Sequence, residues 1–515
     1  MSRARRVIRN VASSYVHIFA STLYVLASVP LALRFLTKEE FGLWALMTQI
    51  SGYLALIDLG ITSSVARLLI DCKDRPNDGE YGSLIQTGGL VLVCQGVLIL
   101  AIGLLVSPLV AGLLNIPSHL TASFVCLLRW QCAIVAAGFT ARVFGAVVWA
   151  HQRSDFLNWT QAGLALLNFP VLWGAFRLGT GVYSVLWVNA TSTLATSLSF
   201  LVLCSGFRLL PTKAGWGTPS WVKFKELFRF GKDMFLITLG RQLAMASQTL
   251  VISRSLGLAA VAAWSVGTRV FNLLCWLIWR IFDFSEAAFS EMEARGERDR
   301  LRDRFRSSTM LSASLSGTAA VLFTLCNSAF VSLWTGGKIS WPIGCDVLLG
   351  IWLVILALGR FHGGLVVVSK RIELMRYIYF TEGVFFVVLA TLLAHIGGLP
   401  AIVTVSILCS IGFSVLRGVK HTVSFLGFPL RDVVVGWLAP MSRLLCLLIP
   451  PVVLVGWALW PLSSLGRLLA AALPASALAG WLLLRYGIPK SLHADVLKHS
   501  PKTLSRLLAK VLNAG

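Results

Sequence analysis

Long apolar segments follow one another from Ser13 to Tyr486, separated by short polar or basic loops. A helix needs about 20 mostly apolar residues to cross the hydrocarbon core of a bilayer. By length and loop signals the pattern predicts about fourteen such helices. Their centres lie near Tyr24, Gly52, Val97, Ala136, Ala165, Thr193, Leu243, Leu273, Leu322, Leu353, Val388, Ile407, Leu447 and Ala475. The pattern is least regular near Leu243, which carries Arg241, and on either side of Gly397 and Gly398. The expected fold class is an all-α polytopic membrane protein. The apolar run Val11–Leu36 follows a basic start (Arg3, Arg5, Arg6, Arg9). It is too long for a signal-peptide core and lacks a clean small-residue cleavage site, so it reads as a retained first helix.

The polar positions divide the chain. Residues 1–205 carry six expected spans. The stretch 206–232 is the longest internal polar segment, and within it Trp221, Phe224, Leu227 and Phe228 fall at helical spacing, which predicts a short interfacial helix. Six further spans are expected over 233–417 and two more over 418–486. The tail 487–515 is basic, and Leu504, Leu507, Leu508, Val511 and Leu512 line one helical face, as in an amphipathic helix resting on the cytoplasmic leaflet. An internal echo supports two pseudo-symmetric lobes: Arg34…Leu36…Trp44 is matched by Arg254…Leu256…Trp264, each with Arg closing one span and Trp opening the next.

Composition agrees: 57% of residues are hydrophobic and 13% charged, against about a quarter charged in soluble domains. The net charge of +23 could suggest nucleic acid, but its distribution argues otherwise. The N-terminus and every second loop hold 32 Lys and Arg residues, and the alternate loops hold five (Arg34, Lys38, Arg254, Lys338, Arg467). That bias places both termini in the cytoplasm and makes anionic lipids, not nucleic acid, the expected contact.

Soluble chemistry is not encoded. The ten cysteines form no C-x-x-C pair, the eight histidines form no metal motif, and no Gly-rich phosphate loop with Lys occurs. No metal, cofactor or ATP-driven step is expected. A membrane glycosyltransferase or ligase would need catalytic carboxylates or a metal motif in a large extracytoplasmic loop, and every loop on that side is short, so no enzyme is expected.

Ionisable residues inside spans are costly, and a centred Arg costs on the order of 3 kcal/mol on insertion scales. Eight arginines fall there: Arg129, Arg142, Arg177, Arg241, Arg269, Arg280, Arg360 and Arg443; only Asp58, Asp283, Asp346 and Glu382 oppose them. On the span near Leu273, Arg269, Asn272, Trp276, Arg280 and Asp283 share one face. Thr238, Arg241 and Gln248 align on the preceding span. His17, Ser21, Tyr24 and Ser28 align on the first, and Trp44, Thr48, Ser51 and Asp58 on the second. These four helices are expected to converge on one hydrated, net-cationic cavity. Arg142 and Arg177 sit near span ends, where snorkelling accounts for them equally well. Arg280 has a pairing partner in reach at Asp283, and His17 and Tyr24 can be ordinary helix contacts. No specific role follows for Arg129, Arg142, Arg360 or Arg443.

Phe41-Gly-Leu-Trp-Ala-Leu46, then Gly52-Tyr-Leu-Ala-Leu-Ile-Asp-Leu-Gly60 and Arg67, resemble the second-helix motif of bacterial polysaccharide flippases. These are the O-antigen and capsule lipid-linked repeat-unit translocases of the multidrug/oligosaccharidyl-lipid/polysaccharide exporter superfamily. Leu256-Gly-Leu-Ala-Ala-Val261, Trp264-Ser-Val-Gly-Thr-Arg269 and the charged run Glu291–Arg300 resemble the seventh-to-eighth helix region of that family. The resemblance implies a V-shaped pair of six-helix lobes with two extra C-terminal helices, in the bacterial inner membrane. It implies an undecaprenyl-pyrophosphate-linked oligosaccharide as substrate, moved by alternating access. The related peptidoglycan-precursor flippases carry a helix-eight arginine that Arg269 matches, but also helix-one arginines, for which the one candidate here is Arg34 at the far end.

The reading is therefore a flippase for O-antigen, capsule or exopolysaccharide synthesis. Arg269, Arg241, Arg280, Asn272 and Gln248 are expected to bind the head group, with His17 beside them and Tyr24, Trp44 and Trp276 stacking on sugars. Asp58, Asp283 or Asp346 are candidates for proton or sodium coupling. A polysaccharide polymerase and a chain-length regulator are conceivable partners. The alternatives are a cation-coupled multidrug antiporter of the same superfamily and a peptidoglycan-precursor flippase. A pump for cationic drugs should show carboxylates in an apolar cavity, whereas this one has excess Arg.

Overall fold

The computed structural model describes residues 3–72, 77–151, 153–212, 215–369, 374–458, 464–489 and 491–493, all helix, turn or loop with no strand among them. The amphipathic helix expected at Leu504–Leu512 lies outside the described residues. The chain divides into two compact units: Met1–Gln242 with Thr249–Ala262, and Leu243–Gln248 with Ala263–Gly515.

The first unit holds α1 (Arg3–Phe35), α2 (Lys38–Leu54), α3 (Ile61–Cys72), α4 (Glu80–Leu113), α5 (Ser118–Ala150), α6 (Ser154–Arg177) and α7 (Ser184–Gly206). Two helices contribute to both units: α8 (Trp221–Leu256) and α9 (Leu258–Gly267). The second unit continues with α10 (Arg269–Ala294), α11 (Arg298–Trp334), α12 (Ile343–Val368), α13 (Met375–Ser410), α14 (Leu416–Leu426), α15 (Ala439–Ala458) and α16 (Ser464–Leu482).

Each of the fourteen expected centres falls inside a helix. By length and composition, nine helices of the described residues can cross a membrane, or eleven if each bent pair is one span. The expected fourteen is not reached by that criterion. One reason is that Met375–Leu426 counts as a single helix of 52 residues, although Gly398 (φ 59°, ψ −146°) breaks its helical geometry. Another is that α8 is diluted by charge and amide groups, including Arg241, Gln242 and Gln248.

The interfacial helix expected near Trp221 has a different form. Ser220 caps it, its hydroxyl accepting from the Val222 N–H at 3.2 Å, and the helix then runs without interruption for 36 residues to Leu256. No turn residue intervenes before Gly257, which takes a positive φ of 83°.

Local signals set up the second span. Thr37 and Glu40 form a reciprocal capping box at the start of α2, with bonds of 3.2 and 2.8 Å. After α2 a 3-10 turn over Ala55–Asp58 ends at Leu59 (φ 49°) and Gly60 (φ 75°), and α3 departs at 48°. A left-handed leucine is uncommon. Gly60 is obligatory for space as well, since a Cβ there would come within 2.9 Å of the Gly231 carbonyl oxygen. In the second unit an aromatic core of Phe282, Phe289, Phe305, Phe361 and Trp437 joins α10, α11 and α12 to the segment before α15. Phe282 meets Phe361 edge-on at 5.2 Å, the geometry that aromatic quadrupoles favour.

Candidate functional site

In the first unit, α3, α5 and α7 surround a cavity of about 590 Å³. Its polar wall consists of Thr62, Ser63, Ser192, Thr193, Thr196 and Ser197, joined by Arg142 and Trp149. Gly138 and Gly145, one heptad apart on α5, face α7: a Cβ would lie 2.8 Å from Thr193 and 2.7 Å from Phe200. The missing side chains let the two helices approach and bring the α7 hydroxyls to the cavity.

Asp58 stands at the break between α2 and α3. Its carboxylate accepts from the Thr62 hydroxyl at 2.5 Å and from the Thr62 N–H at 3.3 Å, capping α3. It also pairs with Arg142 at 3.8 Å, whose guanidinium lies 3.9 Å from the Phe139 ring centroid. Gln95 donates to the Asp58 carbonyl at 3.2 Å, and its own amide oxygen is buried without a partner. Thr62, Arg142, Ser192, Thr193 and Ser197 thus line one space among apolar helices, with Asp58 bonded to two of them. Sequence reasoning assigned Arg142 no role and did not single out the α7 hydroxyls. The i, i+4 recurrence of Ser192, Thr196 and of Thr193, Ser197 was the available signal.

The other residues expected in this unit are distributed. His17 contacts the Ser21 hydroxyl at 3.3 Å on α1. Tyr24 is half-buried and packs on Ala20, Ala162 and Ala165. Arg241 is exposed on α8. Trp44, expected to stack on a sugar, is only 7% exposed and stacks on Phe41 at 5.7 Å, so its face is occupied by protein.

In the second unit, Gln248 is buried and donates to Ser406 at 3.2 Å. Arg269 opens α10 and is half-buried; Asn272 and Trp276 are exposed, and Arg280 lies 6.0 Å from the Trp276 centroid. Arg280 also meets Asp283 at 3.7 Å. Asp283 is held more firmly by Arg360, through Nε at 3.1 Å and through Nη2, and Arg360 reaches Glu286 at 3.7 Å. Two cations and two anions make this cluster neutral, so Arg280 and Asp283 have partners already. Among the remaining arginines, Arg129 donates to Ser107 at 3.1 Å, and Arg443 is exposed.

Asp346 is fully buried at the start of α12. Its Oδ1 accepts from Asn327 at 2.7 Å and from the Trp341 indole at 2.6 Å. Its Oδ2 and the Asn327 side-chain oxygen are buried without hydrogen-bond partners. Asn327 donates also to the Gly267 carbonyl at 3.0 Å, at the end of α9 and two residues before Arg269 opens α10. Glu382 on α13 is likewise buried, with one carboxylate oxygen unpartnered. No group of three metal-ligating side chains occurs among the described residues.

A second cavity of the same unit, about 660 Å³, is an apolar groove between α11, α12 and α15. Val347, Ile351, Val354, Ile449, Val453 and Trp457 line it.

The helices, their breaks and their buried charges define a multi-pass membrane protein with the fold of the MOP-superfamily transporters. Three solved structures share that fold. The lipid II flippase MurJ in an inward closed conformation superposes with a TM-score of 0.67 at 11% identity, over 93% of this chain and 99% of that one. An inward-facing multidrug resistance MATE transporter of the MOP superfamily gives 0.63 at 16% identity, over 80% and 99%. A MOP-superfamily transporter from Pyrococcus furiosus gives 0.56 at 16%, over 82% and 96%. A search of curated proteins gives no match. The profile of the family described as polysaccharide biosynthesis protein matches residues 31–341, and the chain belongs to that family.

Proposed function

We propose that this protein translocates a lipid-linked oligosaccharide across a bacterial inner membrane, supplying repeat units for O-antigen, capsule or exopolysaccharide. The observation that carries this reading is the hydroxyl-lined cavity of the first unit. Six Ser and Thr side chains and a half-buried Arg line it, in helices that otherwise face lipid or core. Polar walls are costly at membrane depth and persist where they meet a polar cargo. Sugars present hydroxyls that donate and accept, as Ser and Thr do. Membership in the polysaccharide biosynthesis family agrees with a saccharide cargo. In the second unit, Arg269, Asn272 and Trp276 on α10 offer the cationic, amide and aromatic groups that suit a pyrophosphate and its first sugar. Both termini lie in the cytoplasm on this reading, the halves 1–205 and 233–417 act as lobes, and a polymerase receives the product.

The test is reconstitution into liposomes with an undecaprenyl-pyrophosphate-linked oligosaccharide and a head-group accessibility assay. Wild type is expected to move the head group, and the paired variant Thr193→Val, Ser197→Ala to slow it about tenfold, the loss of one to two hydrogen bonds. Failure of wild type to translocate this lipid, with efflux of a cationic drug instead, overturns the proposal in favour of an antiporter.

A further inference from the structure

The end of α12, the start of α13 and α14 enclose a small pocket of about 320 Å³ that plays no part in the sites above. Arg417, Lys420, His421 and Ser424 line it from α14. Their spacing of three, four and seven residues places them on one helical face. Neither Arg417 nor Lys420 has a carboxylate partner among the described residues. His421 is buried, with Nε2 at 2.8 Å from the Ser369 hydroxyl and its ring stacked on Phe425. The opposite wall is apolar: Val366 and Met375, with Leu374.

The basic face is held rigidly. Thr422 is buried behind it and contacts His362 Nδ1 at 2.8 Å. Gly418 lets α14 approach α12, since a Cβ there would lie 2.8 Å from the His362 Cβ and 3.0 Å from its carbonyl carbon. The pocket also lies where long apolar helices end: α12 stops at Val368, and the stretch Met375–Leu426, broken at Gly398, begins and finishes at the pocket. Phospholipid phosphates occupy that level of a bilayer.

We propose that this pocket binds the phosphate of an anionic phospholipid head group. Arg417 and Lys420 supply charge-assisted hydrogen bonds, and the apolar wall receives the glycerol and first acyl carbons. Inorganic phosphate presents the same oxygens without the apolar part, and a polyprenyl pyrophosphate presents them with a different tail.

The experiment uses the full chain, delipidated in detergent, with native mass spectrometry reading bound lipid during titration with phosphatidylglycerol, phosphatidylcholine or undecaprenyl pyrophosphate. Wild type should retain phosphatidylglycerol over phosphatidylcholine. The double variant Arg417→Gln, Lys420→Gln should lose that preference by about 25-fold, from about fivefold per cation. Arg417→Lys should keep most of it, and equimolar inorganic phosphate should not displace the lipid. If the double variant unfolds, Lys420→Gln alone should lose about fivefold. Equal retention of phosphatidylglycerol by wild type and variant overturns the proposal. So does displacement by inorganic phosphate, which makes it a free-phosphate site, or preference for undecaprenyl pyrophosphate, which makes it part of the substrate path.

Discussion

Gly42 of α2 lies directly against the backbone of Leu258 at the start of α9: a Cβ on Gly42 would sit 2.0 Å from the Leu258 carbonyl oxygen. Both belong to the first unit, although Leu258 comes more than two hundred residues later. The contact joins the two segments that carry the family resemblance, Phe41-Gly-Leu-Trp and Leu256-Gly-Leu-Ala-Ala-Val. Arg254, just before the second segment, donates to the Leu113 carbonyl at 2.9 Å in the same unit.

Gly42→Ala should therefore be strongly disruptive. The obstructing atom is backbone and cannot rotate aside, and overpacking typically costs about 1–3 kcal/mol. Thermal unfolding of the purified protein should show a clear drop in midpoint. Gly112→Ala, with open space around it, should not. Equal midpoints for the two variants would mean that α2 and α9 separate at no cost.

Asp346→Asn is expected to leave the fold nearly intact while removing the response of transport to an imposed proton or sodium gradient. Asn keeps an oxygen for the donors Asn327 and Trp341 but cannot exchange a proton or hold a charge. Asp346→Leu should instead destabilise the protein, since each donor left unsatisfied costs about 1–3 kcal/mol. Full gradient dependence in the Asn variant would make Asp346 a structural acceptor.

Arg269→Ala should reduce head-group binding by one to two orders of magnitude, since a charge-assisted contact is worth about 1.5–3 kcal/mol. Lys should restore part of the binding because it retains the charge without the planar fork, and Asn should not. Surface polysaccharide at constant protein level is the readout in cells. Rescue by Asn as good as by Lys would make Arg269 a structural pairing residue.

Topology can be checked by single cysteines at exposed positions outside the expected spans in an otherwise cysteine-free background. Thr218→Cys and Ser491→Cys should react only with reagent supplied to the cytoplasm, and Ser340→Cys only from outside. Outside labelling at Ser491 alone would mean an odd number of spans.

The sequence by itself determined the class of fold, because in a bilayer each segment must satisfy its own backbone hydrogen bonds and so announces itself by local hydropathy. It also marked the irregularity at Gly397-Gly398, where Gly398 breaks the helical geometry, since turn chemistry is local. What only the tertiary structure decided is which polar groups meet. Asp283 was expected to share its face with Arg280, four residues or fewer along one helix, and helical periodicity could see that. Its closest partner is Arg360, 77 residues away on α12. The α7 hydroxyls reach the cavity because Gly138 and Gly145 let α5 draw near. Trp44 looked available on its helical face until Phe41 and the surrounding core covered it. Periodicity specifies the direction of a side chain from its own helix axis. What stands in that direction depends on how helices distant in sequence cross, and that is set by packing across the whole unit.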